Sequence, residues 1–121
     1  MLNKQATDRF AELNATYVID QNTGAILGEA KNTTGYYVAV PPSVLTKSIH
    51  GIVPYGFGTL HIECADDTKD PILYLGIWNN KGMVYPEYSI RVLDRETAEY
   101  IGRKYKQIAI WDIEKGTEVT L

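Results

Sequence analysis

The segment spanning residues 90–120 constrains this chain most, because its apolar periodicity changes twice over a short distance. Ile90 and Val92 lead into Asp94, a good helix N-cap, after which Ala98, Ile101, Gly102 and Tyr105 recur at helical spacing. Arg95, Glu96, Glu99, Arg103 and Lys106 fall on the other sides of that helix. From Gln107 to Asp112 the period drops to two, with Ile108 and Ile110 on one face and Ala109 and Trp111 on the other, before Glu114-Lys115-Gly116 turns the chain. Strand, capped basic helix, strand and turn follow in order. The stretch carries cations and aromatic rings but no pairing of a nucleophile with a base, so it reads as a binding element.

Upstream, the same reading yields mostly strands. Residues 17–20 and 25–30 flank Gln21-Asn22-Thr23-Gly24, a hairpin signal in which Gly24 supplies positive φ. A strand is expected over 35–40, stopped by Pro41-Pro42, then one helical turn over 43–48 and a glycine-rich connector over 51–58. Residues 59–64 alternate as a strand, with a helix running through Ala65 as the alternative, and 72–78 form an almost unbroken apolar run suited to a central strand. Asn79-Asn80-Lys81-Gly82 turns that run into 83–85, and Pro86 is expected to interrupt the ladder, leaving 87–92 as an edge strand or a bulged continuation. At the N-terminus Ala6, Phe10 and Leu13 predict a short helix over 4–13. The expected architecture is a single α+β domain over 1–121, mainly antiparallel β-sheet with an N-terminal helix and a helix near the C-terminus. A chain of 121 residues buries enough surface to fold without staples.

Charge and cysteine usage narrow the function classes. A net charge of −3 argues against a broad basic surface for duplex nucleic acid, while leaving room for a small anion in a local cationic pocket. One cysteine, Cys64, excludes an intramolecular disulfide and points to a reducing compartment. Residues 1–10 carry Lys4, Asp8 and Arg9 and resemble neither a signal peptide nor an anchor, and no apolar run approaches the ~18 residues of a membrane span, so a cytoplasmic protein is expected. Nine tyrosines against two phenylalanines give most rings a polar handle, which suits half-buried sites, interfaces and stacking surfaces. Together with the apolar run at 72–78, they predict a homo-oligomer.

Catalytic constellations fail on inspection. His61-Ile62-Glu63-Cys64 resembles the His-x-Glu of zinc deaminases, yet the Pro-Cys-x-x-Cys segment that completes such a site is missing from the sequence. His61 and Glu63 are expected instead to form an exposed polar pair on one strand face, dispensable for fold and function. The glycine-rich connector matches neither a P-loop nor a dinucleotide fingerprint, and Ser43, Ser48 and Ser89 lack a nucleophile elbow. No metal, no cofactor and no catalytic residue is expected.

Two accounts of the tail cations stand side by side. Arg95, Glu99 and Arg103 are spaced four apart and pair along a solvated face, while Arg103, Lys104 and Lys106 complement the helix dipole. Equally, Arg91 and Arg95 at the strand-to-helix junction, with Tyr88, Tyr100 and Trp111 close in sequence, offer the guanidinium forks and aromatic planes that a phosphorylated nucleobase requires.

The order Gly35-Tyr36-Tyr37-Val38, Leu75-Gly76-Ile77-Trp78 with a short turn to Val84-Tyr85, Val92-Leu93-Asp94-Arg95-Glu96-Thr97-Ala98 and Gln107-Ile108-Ala109-Ile110-Trp111-Asp112 resembles a group of small phage-encoded domains. Within that group the chain resembles the Thoeris anti-defence signal sponges of the first type described. The resemblance spans about residues 35–116 and rests on a loose Ala, Gly-Arg, Gln-x-Ala-Ile-Trp-Asp signature. It implies an oligomeric, non-enzymatic protein that sequesters cyclic ADP-ribose isomers between aromatic and arginine side chains. By that resemblance Arg103 and Gln107 are expected ligand contacts, with Trp78 and Tyr85 as aromatic candidates; Arg91, Arg95 and Tyr88 join them from the residue reading. A protein-binding inhibitor of a host defence enzyme, and a small cyclic-nucleotide hydrolase using His61 and Glu63, are the competing functions.

Overall fold

Strands dominate the described part of the chain. A computed structural model describes residues 15–20, 23, 25–41, 62–63, 72–80 and 83–121. The strands are β1 (Ala15–Ile19), β2 (Ile26–Glu29), β3 (Tyr36–Ala39), β4 (Tyr74–Asn80), β5 (Met83–Val92), β6 (Ala109–Asp112) and β7 (Thr117–Thr120), and the helix α1 (Arg95–Lys104) lies between β5 and β6. All seven strands join one antiparallel sheet in the order β2-β1-β4-β5-β3-β6-β7.

This corrects the expected architecture. Among the described residues there is one helix, near the C-terminus, because their other apolar stretches either alternate with period two or run unbroken only for the length of a strand. The expected helix over 4–13 lies outside the described residues, as do the helical turn at 43–48, the connector at 51–58 and Gly24. Over the described residues the fold is an antiparallel β-sheet carrying one helix.

Pro86 behaves differently from expectation, for a geometric reason. β5 runs through it without a break, with Pro86 opposite Ile77 and both flanking pairs in register, and it is internal, between β4 and β3. The Tyr88 carbonyl accepts the Val40 N–H at 2.9 Å, so Tyr88 directs its backbone polar groups toward β3. Residues two apart on a strand direct those groups the same way, so the N–H that Pro86 lacks belongs on the β3 side, beyond the end of β3. The ladder to β4 loses nothing.

Apolar side chains gather on one face of the sheet. Val38, Val40, Ile62, Ile90, Val92 and Ile110 pack with Ala98 and Ile101 of α1, while Tyr17, Ile19, Leu73, Leu75 and Ile77 form a second cluster over β1 and β4. The register puts Leu75 opposite Tyr88, and Tyr88 shares its face with Ile90 and Val92, so both clusters belong to the same side. The 72–78 run is therefore largely internal: Leu73, Tyr74, Leu75 and Ile77 are all buried within a single chain.

The helix begins and ends as its sequence dictates. The Asp94 carboxylate accepts the Thr97 N–H at 3.1 Å, and Thr97, Ala98, Ile101 and Gly102 form the buried stripe. At the C-terminal end Lys106 takes φ of 57°, and the N–H groups of Lys106 and Gln107 bond to the carbonyls of Arg103 and Gly102 at 3.1 and 2.9 Å. This is a Schellman ending with lysine where glycine is usual. Because that turn redirects the chain, β6 begins only at Ala109, and Ile108, expected to share a face with buried Ile110, is 84% exposed.

Candidate functional site

The opposite sheet face is polar and aromatic. Register aligns Glu118 with Trp111, Trp111 with Tyr37, and Tyr37 with Arg91, a row running across β7, β6, β3 and β5. Beyond β5 the row continues into a short bridging segment: Ile62 opposes Val92, and the Glu63 N–H bonds to the Arg91 carbonyl at 2.9 Å. Ile62 thus joins the apolar core, and Glu63 meets Arg91 on the polar face.

Arg91 is held on two edges. Its Nη1 pairs with Glu63 Oε2, while Nε donates to the Thr34 carbonyl at 2.9 Å and Nη2 to Thr34 Oγ1 at 3.0 Å. The Tyr74 hydroxyl donates to Glu63 Oε1, and the Asn32 amide donates to the hydroxyls of Tyr37 and Tyr74 at 2.9 and 3.1 Å. The Tyr37 and Tyr74 rings are tilted at 50° with centroids 5.2 Å apart. Burial, then the hydrogen bond to Glu63, raises the Tyr74 phenol well above the ordinary tyrosine range against a smaller opposing effect of Asn32. Burial also raises the Tyr37 phenol, opposed by Asn32 and Arg91. Both phenols remain neutral donors at physiological pH.

The sequence-derived ligand residues do not converge on one place. Arg91 lies in this network. Tyr88 lies on the opposite, apolar face of β5, half-buried against the β1 and β4 cluster. Arg95 and Arg103 are 53% and 61% exposed on the helix and share Glu99, at 3.7 and 3.4 Å, which matches the solvated-face account of their charges. Gln107 is half-buried, and its backbone closes the helix. Tyr85 is 44% exposed and is the register partner of Trp78. Tyr85 shares a face with Arg91, six residues along β5 and hence roughly 20 Å away.

Glu63 departs from the exposed pair expected of it. Its side chain is 20% exposed and bridges Tyr74 and Arg91; His61 lies outside the described residues. Ile62 and Glu63 do take opposite sides of the sheet, but the partners of Glu63 come from residues 11 and 28 positions away, and residues 59–61 and 64 of the expected strand lie outside the described residues. Asn32, Thr34, Tyr37 and Tyr74 join this network without being among the ligand residues that the sequence suggests. The available signal was Tyr74, the one side chain with a hydroxyl inside the apolar run, which demands a buried partner.

Among the described residues no group of His, Cys, Asp and Glu is arranged to hold a metal ion, and no helix is long and apolar enough to cross a membrane. Comparison with family models, curated proteins and solved structures finds no match.

Proposed function

We propose that this is a phage-type anti-defence protein that binds and sequesters a cyclic nucleotide immune signal of the cyclic ADP-ribose class, without degrading it, in the cytoplasm of the infected cell. The anti-defence role rests on the family resemblance of residues 35–116. The capture surface rests on one observation: Trp111, Tyr37 and Arg91 are successive register partners on the polar sheet face. Half-buried Trp111 supplies a plane for a base, and Arg91, two strands and about 10 Å away, supplies a guanidinium for phosphate. Arg95, Arg103 and Gln107 would meet a ligand only at a separate place. A sponge needs no general base, and the Glu63 carboxylate is engaged by Tyr74 and Arg91, which disfavours the hydrolase reading.

A second reading, a protein-directed inhibitor that pairs with itself or with a host enzyme, draws on Met83 and Tyr85. They are 59% and 44% exposed and share a face of the β4–β5 hairpin. One experiment separates the readings: incubation with a cyclic ADP-ribose isomer, removal of free ligand, heat denaturation, and analysis of the supernatant. Intact released ligand supports the sponge, altered ligand an enzyme, and no uptake the protein-directed inhibitor.

A further inference from the structure

We infer that Arg91 and Tyr74 form an oxyanion site that the chain fills with its own Glu63 carboxylate, so that a ligand phosphate binds by displacing that carboxylate. The inference rests on the capture surface proposed above and names what gates it. Glu63 presents two oxygens, Oε1 to the Tyr74 phenol and Oε2 to Arg91 Nη1. Two oxygens of a phosphate present the same acceptor pair, and a guanidinium edge serves carboxylate and phosphate alike.

Three features favour exchange over a fixed structural pair. Arg91 is anchored from its other edge by the carbonyl and hydroxyl of Thr34, so the guanidinium keeps its place when Glu63 leaves. Tyr74 is likewise held by Asn32, and its neutral phenol stays a donor. The backbone of Glu63 is fixed by bonds with Arg91 and Ile72 at 2.9 and 3.1 Å, so only the side chain, 20% exposed, has to swing outward. The donors are thereby preorganised, and the internal carboxylate lowers affinity by competing for them.

Titration with inorganic phosphate, followed by the Arg91 Nε NMR signal, tests this apart from the identity of the natural ligand. Glu63→Gln or Glu63→Ala should bind phosphate about tenfold more tightly than wild type, as expected when one charge-assisted competitor is removed. Adding Arg91→Gln should abolish the gain. Equal midpoints in wild type and both variants would overturn the inference. So would failure of both variants to fold, because a carboxylate the fold cannot lose cannot make way for a ligand. If phosphate binding strengthens while no protein captures cyclic ADP-ribose, the gated oxyanion site stands and the choice of signal molecule falls.

Discussion

A Cβ placed on Gly35 would lie 2.9 Å from the carbonyl oxygen of Val92 and 3.2 Å from Nε of Arg91. Gly35 also has φ of +90°, and its carbonyl accepts the Ile113 N–H at 3.0 Å. The missing side chain therefore lets the 34–35 backbone approach β5 closely enough for Thr34 to clamp Arg91. Gly35→Ala combines positive-φ strain with a contact to backbone that cannot give way. A loss of about 2 kcal/mol or more is expected in denaturant unfolding; an unchanged midpoint would refute the packing described here.

Lys106 bears the opposite prediction. It occupies the left-handed position of the helix ending at φ 57°, where glycine carries no Cβ penalty. Lys106→Gly should stabilise the protein by about 0.5–1 kcal/mol, measured by chemical denaturation, with β6 unchanged.

The tyrosine pair predicts an alkaline limit. Folding raises the Tyr74 phenol above its ordinary value of 10.0, so the folded chain retains a proton that the unfolded chain gives up. This contribution is complete below the unfolded value and declines as pH rises through and beyond it. Melting temperature should fall between about pH 9 and about pH 11, and Tyr74→Phe should flatten that fall. Parallel profiles for the two proteins would assign the alkaline loss to other groups.

The helix arginines are expected to matter little to the fold. Arg95 and Arg103 are more than half exposed and share one glutamate, so Arg95→Ala with Arg103→Ala should cost less than about 1 kcal/mol. Ligand capture by this double variant should match wild type, whereas Arg91→Gln should reduce capture about tenfold. The reverse pattern would move the site from the sheet face to the helix.

What was legible in the sequence was local. The hairpin signal located β1 and β2, the apolar stretch before Pro41 located β3, the almost unbroken apolar run located the central β4, and Asp94 with Ala98, Ile101 and Gly102 marked the helix. Pro86 misled because proline disrupts a strand only when its missing donor faces a partner, and facing is a property of the assembled sheet. Ile108 misled because a left-handed turn at Lys106 holds back the start of β6 to Ala109. The polar network escaped for a similar reason: Asn32 and Tyr74 are 42 residues apart, and Arg91 and Thr34 are 57 apart. Their juxtaposition depends on strand order, which no local pattern encodes. The expectation of an oligomer loses the 72–78 run as support, since those residues are largely internal, and keeps the tyrosine surplus, to which the exposed Met83 and Tyr85 of β5 add an apolar patch.

Titration calorimetry of the intact wild-type protein with a cyclic ADP-ribose isomer tests the central claim most directly. Saturable binding should be observed, with the ligand recovered chemically unchanged, and Trp111→Ala should weaken it by about tenfold, the scale of one lost base–aromatic stack. Absence of saturable binding, or recovery of a converted product, would contradict the assignment of this chain as a signal sponge.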